Sequence, residues 1–139
     1  MATDTSSVAA LADCLVRATN RHDLAALVGC FAPDFVNETP AHPARSFSGS
    51  DQVRRTWSQI FAAVPDLRAD VLRRVVDGDT AWIEWEMQGN RVDGSRHIMR
   101  GVTIFGAKQG RFAWVRFYLE PVDAGSAGIE EAVREHLGL

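Results

Sequence analysis

From Leu67 onward the apolar residues of this chain stop recurring every three to four positions and begin to alternate, and they do so in four runs separated by turn residues. The runs are 67–76 (LRADVLRRVV), 80–89 (TAWIEWEMQG), 96–107 (RHIMRGVTIFGA) and 111–122 (RFAWVRFYLEPV). Between them stand Asp77-Gly78-Asp79, the segment 90–95 (NRVDGS) and Lys108-Gln109-Gly110. Asp-Gly pairs and single glycines tolerate positive φ, which tight hairpins require. Strands joined this closely must run antiparallel, and a long antiparallel sheet twists strongly. The second half of the chain is therefore expected to be a curved antiparallel sheet.

The first half has helical spacing. Ser6 or Ser7 can cap a helix in which Val8, Leu11, Leu15 and Ala18 share one face. The segment 20–23 (NRHD) breaks it, and Asp23 caps a second, short helix over 24–31 that ends at Ala32-Pro33-Asp34. Phe35 to Thr39 reads as a short strand. A third helix runs from Ser50 to about Val64, with Val53, Trp57, Ile60, Phe61 and Val64 in one stripe, and Pro65 stops it. After the last strand, 123–128 (DAGSAG) reads as a hinge before a tail helix with Ile129, Val133 and Leu137 on one side. This is an α+β plan: a cone-shaped antiparallel sheet curled over three N-terminal helices, with a short C-terminal helix. One domain over 1–139 is expected, with its core in about 8–122. The open end of such a cone is a natural pocket.

The bulk numbers exclude several classes of function. The net charge of −3 lacks the basic excess that phosphate binding needs, so neither nucleic acid nor an anionic membrane surface is an expected partner. Cys14 and Cys30 belong to no CxxC or Cys/His cluster; beside apolar residues in helices, they read as two buried free thiols of a reducing cytoplasm. The N-terminal residues lack the basic, then apolar, pattern of a signal peptide, and no apolar run approaches a membrane span of ~20 residues. No nucleophile elbow, phosphate loop or zinc-protease motif occurs, so no metal or organic cofactor is expected.

The segments 31–40 (FAPDFVNETP), 101–105 (RGVTIF with Arg100) and 116–122 (RFYLEPV), in that order around the third helix, resemble the nuclear-transport-factor-2-like superfamily, and within it the SnoaL-like, polyketide-cyclase-type branch. The resemblance covers roughly 8–122. It implies the cone fold, a small hydrophobic ligand, and a homodimer through the outer sheet face. It does not imply one reaction, since the superfamily holds isomerases, epoxide hydrolases, dehydratases, cyclases and non-catalytic binders. The ketosteroid-isomerase base falls on Thr39, and its oxyanion groups fall near Leu15 and Gly101. The Asp–Arg–Asp set of limonene-epoxide hydrolases falls on or near Phe117, Met99 and Gly101. Both activities lack their functional groups here. The acid/base carboxylate of SnoaL-like cyclases falls on Glu120, a Glu in place of the usual Asp.

The candidate site residues follow. Glu120, at the end of the last strand, either faces the cone as a proton donor or acceptor or pairs with Arg116 or Arg100. Glu38, His42, Arg45 and Phe47 crowd one segment stiffened by Pro40 and Pro43. There Glu38 and His42 either handle a ligand's polar end, or Glu38 simply bridges Arg45; in an enzyme Glu120 or Glu38 is expected to carry the proton, with His42 assisting. Alternation places Val115, Phe117 and Leu119 on the inner face and Trp114, Arg116 and Tyr118 on the outer one. Trp85, rather than Trp82, is expected inside. Thr39, Trp57, Phe61, Trp85, Met99, Gly101, Phe117 and Leu119 are the expected ligand-binding set. Glu84 and Glu86 are expected to pair with Arg73 or Arg100 across the sheet. Cofactor-free acid/base chemistry and plain ligand binding both remain open.

Overall fold

A computed structural model describes residues 7–139; Ser6 as a cap, and the first six residues of the expected leaderless N-terminus, lie outside the described residues. Helix α1 (Val8–Arg21) starts where Ser7 Oγ accepts from Ala10 N at 3.1 Å. It stops at His22, whose backbone turns left-handed (φ 54°) while its N–H closes onto the last carbonyls. Asp23 then caps α2 (Leu24–Gly29), its carboxylate accepting from Ala26 N. The second helix is shorter than its apolar run, because Phe31 already belongs to a strand.

That strand, β1 (Phe31–Glu38), begins earlier than expected. Pro33 does not block it, since the pairing shifts register between Phe31 and Val36, and Pro33 sits in that irregular stretch, exposed. After a 3-10 turn (Pro43–Arg45) comes β2 (Phe47–Ser48), which pairs antiparallel with β1. Helix α3 (Ser50–Ala63) and strands β3 (Arg68–Asp77), β4 (Thr80–Asn90), β5 (Arg96–Lys108) and β6 (Arg111–Pro121) follow, and α4 (Ile129–Leu137) closes the chain. The strands form one six-stranded sheet in the order β2-β1-β6-β5-β4-β3. Its β3-to-β6 part is the expected antiparallel meander. The β1–β6 contact is parallel, and period-2 patterning carries no sign of it.

The sheet bends at irregularities. The register shifts between Val71 and Arg73 and between Gly106 and Ala107, and Gly101 takes φ +150° in mid-strand. A side chain at Gly101 would meet Tyr118 O at 2.1 Å, so the glycine lets β5 and β6 close up at the bend. The concave face buries Ala81, Ile83, Trp85, Met87, Phe105, Val115 and Leu119 against α1, which contributes Val8, Leu11, Leu15 and Ala18. At the wide end of the core, the Phe31, Phe35, Phe105 and Phe112 rings pack at tilted angles with centroids 4.6–5.4 Å apart. Asn20 ties α1 to the sheet edge: its side chain accepts from Ala69 N (2.7 Å) and donates to Ala69 O (3.0 Å), covering backbone groups of edge strand β3.

Helix α3 differs from α1. Of its stripe only the two ends are buried, Val53 and the C-cap residue Val64; Trp57, Ile60 and Phe61 between them are partly exposed. A helix whose apolar face is left half-covered is bordering space rather than a filled core. Helix α4 buries none of its residues, and Ile129 and Leu137 project into solvent. Among the described residues no helix is long and apolar enough to cross a membrane.

Candidate functional site

The space under α3 is a hollow of ≈160 Å³. Leu15, Phe31, Phe47, Val53, Trp57, Trp85, Phe105, Val115 and Phe117 supply its apolar wall. Asn37, Thr39, Thr56 and Thr103 add neutral polar groups, and Arg45 stands at the mouth with its side chain 63% exposed. The inner polar groups are largely held: Trp85 Nε1 donates to Thr103 Oγ1 at 3.0 Å, and Asn37 Nδ2 donates to Thr39 Oγ1 at 3.2 Å. Burying a hydroxyl or amide without a partner is costly, so these pairs let polar atoms face an apolar space. Larger depressions, ≈370 Å³ between α1 and α2 and ≈560 Å³ beside α1 and β3, are open surface grooves. The hollow under α3 is smaller, but it is the one that combines apolar walls with convergent polar groups.

Of the expected ligand-binding residues, Thr39, Trp57, Trp85 and Phe117 line this hollow. Phe61, Met99, Gly101 and Leu119 do not. Phe61 lies one helical turn beyond Trp57 and stacks on His22, with centroids 4.5 Å apart and planes 15° apart. Met99 pairs with Met87 and Pro121 near the far end of the sheet. Gly101 makes room for the neighbouring strand rather than a ligand, and Leu119 is packed away at 2% exposure. The rest of the lining, Arg45, Asn37, Val53, Thr56, Thr103, Phe105 and Val115 among it, was not in the expected set. Parity could have proposed Thr103, Phe105 and Val115; nothing local marks Asn37 or Thr56.

Glu38, His42 and Glu120 lie outside the lining of the hollow; Glu84 and Glu86 take the arginines expected of them, while Glu38 and Glu120 do not. Glu38 reaches Arg116 Nη1 at 2.8 Å, not Arg45, because the parallel register sets Glu38 beside Arg116. Glu86 takes Arg100, and Glu84 takes Arg73 at 3.5 Å. Glu120 therefore has neither Arg116 nor Arg100. The lip turns over the end of β6 to meet it: His42 Nε2 lies 3.1 Å from Glu120 Oε1, and Arg45 Nη1 lies 4.0 Å from Oε2. Glu120 Oε1 is shut off from water, yet the His42 approach lacks hydrogen-bond alignment, so this oxygen is an unsatisfied buried acceptor.

The lip that carries these groups is built from local bonds. His42 N donates to Thr39 O at 2.9 Å, Arg45 N to His42 O at 2.9 Å, and Ser46 N to Pro43 O at 3.1 Å. Ser46 Oγ accepts from Thr39 N at 3.0 Å. Pro43 starts the 3-10 turn, where its missing N–H costs nothing. The proline-punctuated segment is thus a shaped rim.

Other titratable groups lie elsewhere; of the two thiols expected to be buried, Cys14 is exposed on the outer side of α1 and only Cys30 is buried. Burial pushes the Cys30 thiol up to about 11, with Cys14 adding to the effect, so it stays protonated near neutral pH. Loss of solvent, then the Arg91 guanidinium, hold His97 below the ordinary imidazole range, on the β4–β5 hairpin outside the hollow. Among the described residues no three His, Cys, Asp or Glu side chains come together as a metal site would require.

A model of the SnoaL-like domain matches residues 12–115. A candidate polyketide cyclase from Sinorhizobium meliloti is 27% identical, with a TM-score of 0.61 over 79% of this chain and 93% of that one. AclR, a candidate hydroxylase from Streptomyces galilaeus, is 18% identical with a TM-score of 0.70, covering 95% of this chain and 82% of that one. A nuclear-transport-factor-2-like protein of unknown function from Exiguobacterium sp. 255-15 is 20% identical, with a TM-score of 0.67 over 82% and 99%. No curated protein matches in sequence. The last two likenesses carry the fold alone, the cone of curved sheet and helices seen here. The family match spans well over half of the residues, from mid-α1 to the cavity-lining part of β6, and on that ground the chain belongs to the SnoaL-like domain family.

Proposed function

We propose that this chain binds a small, largely hydrophobic molecule in the hollow under α3. The carrying observation is that hollow itself: ≈160 Å³ of apolar space with a few satisfied polar groups and a shaped rim. An apolar cavity of about 150 Å³ is large enough for benzene. The ligand is therefore one ring or a branched short chain, not a fused multi-ring system. The test is a thermal shift with benzyl alcohol. At ten times its Kd, a ligand that binds only the folded state adds about 1.4 kcal/mol, which raises the Tm of a domain this size by roughly 4–6 °C. An unchanged Tm at saturating benzyl alcohol, phenol and cyclohexanone contradicts the reading.

A second reading adds proton chemistry at the rim without a cofactor. It is supported by the unsatisfied Glu120 Oε1 beside His42, since a carboxylate half out of water next to an imidazole is a suitable proton relay. In it Glu120 moves the proton, His42 assists, and Glu38 ties the end of β1 to β6 through Arg116. The candidate cyclase in the same fold is consistent with chemistry of this class. Ketosteroid isomerisation and limonene-epoxide hydrolysis are not proposed, because Thr39, Leu15, Gly101, Met99 and Phe117 stand where their functional groups would be. On a substrate found by screening small cyclic ketones and acids, Glu120→Gln is expected to cut turnover about 10²-fold with the fold intact. Unchanged turnover removes Glu120 from the chemistry.

The outer sheet face is proposed as the seat of a second copy of this chain. Trp82 (52% exposed), Trp114, Tyr118 and Val75 give it an apolar surface that water should not be left to cover. Trp82→Glu is expected to shift the protein from dimer to monomer in analytical ultracentrifugation; a monomeric native protein contradicts the dimer. The free thiols Cys14 and Cys30 suit a reducing, cytoplasmic setting.

A further inference from the structure

Among the described residues Arg45 is the one charged side chain in the lining of the hollow. Its guanidinium is uncommitted: among the described residues its closest acidic partner is Glu120 Oε2 at 4.0 Å, the outer limit of an ion pair, and it makes no side-chain hydrogen bond. The 3-10 turn opened by Pro43 fixes where its backbone stands, and Ser46, the next residue, is tied to Thr39. Among the described residues no carboxylate lines the hollow. Behind Arg45 lie aromatic rings and hydroxyls already bonded to protein partners. A guanidinium offers a fork of donors that matches a carboxylate better than any neutral group.

Resting on the binding reading above, we infer that the ligand is a small carboxylic acid, its single ring or branched body under α3 and its carboxylate on Arg45 at the mouth. Glu120 is the resident counter-ion that this carboxylate displaces. On ligand binding Arg45 swings from Glu120 to the ligand, and Glu120 keeps His42. Because Glu120 both competes for Arg45 and repels an incoming anion, it lowers carboxylate affinity.

Isothermal titration of the native protein with benzoate and with benzyl alcohol, which share a ring and differ in charge, tests the inference. Benzoate is expected to bind about 10-fold more tightly than the alcohol. Arg45→Gln erases that preference, weakening benzoate far more than benzyl alcohol. Glu120→Gln, with its carboxylate gone, strengthens benzoate binding several-fold relative to the alcohol. Equal affinity for both compounds in the native protein, or a preference that survives Arg45→Gln, overturns the inference while leaving the hollow as a binding site. Failure of both compounds to bind overturns the binding reading, and the inference with it.

Discussion

Gly101→Ala is expected to lower Tm by roughly 10 °C or more. Gly101 holds φ +150°, where an L residue is strained, at a cost of order 1–3 kcal/mol. The added Cβ would lie 2.1 Å from Tyr118 O and 3.0 Å from Leu119 Cα. These are backbone atoms of the paired strand, so relief requires β6 to move away from β5 at the Gly101–Leu119 contact. Overpacking of this kind costs a further ~1–3 kcal/mol. The stiffening of the unfolded chain by alanine returns less than ~1 kcal/mol. The net loss is about 3 kcal/mol, and in a domain this size each kilocalorie moves Tm by roughly 3–5 °C. Gly106→Ala makes the internal comparison. Its Cβ would lie 2.0 Å from the Trp114 indole, but that ring is partly exposed and can swing outward, so the loss is smaller. Differential scanning calorimetry of both variants decides it. If Gly101→Ala melts with the native protein, the bend that shapes the hollow is not held at Gly101.

The second large effect is on binding rather than stability. Val115→Phe is expected to abolish the thermal shift with benzyl alcohol while leaving the unliganded Tm within about 2 °C of the native value. Val115 is 4% exposed, and its side chain forms part of the hollow's wall. The added ring has free space to enter, unlike a ring forced into a filled core, so the strain that normally accompanies a larger core residue is largely absent. It occupies the position a ligand ring would take. A shift that persists in Val115→Phe places the ligand elsewhere, and the groove between α1 and α2 becomes the alternative.

How much of this was legible beforehand depends on the range of the interaction. Caps and turns are local, and Ser7, Asp23 and the glycine-containing hairpins stand where short-range chemistry puts them. The curved meander follows from alternation and from short connections. The parallel β1–β6 contact does not, since it joins residues about eighty positions apart. That one contact redistributes the ion pairs: it gives Arg116 to Glu38 and leaves Glu120 for the lip. The early start of β1 was hidden by Pro33, whose missing donor was accommodated by a register shift. Asn20, the clamp on β3, has no local signal, because its partner lies 49 residues away.

The site divides in the same way. Strand parity separates Trp85 and Phe117, which line the hollow, from Trp82 and Tyr118, which do not. Parity cannot say how far along a strand the hollow extends, so Met99, Gly101 and Leu119 were expected to line it and are not in its lining. On α3 the stripe continues past Trp57 to Phe61, but the hollow ends and His22 takes up the ring. Arg45 was visible as part of the lip; its place in the lining depends on the 3-10 turn.

The most direct test is a crystal structure of the native protein soaked in benzyl alcohol. The account predicts one ordered ring between Trp57, Trp85, Phe117 and Val115, with its hydroxyl toward the mouth near Arg45. A hollow filled by those side chains, with the ring bound in a surface groove or nowhere, would contradict it.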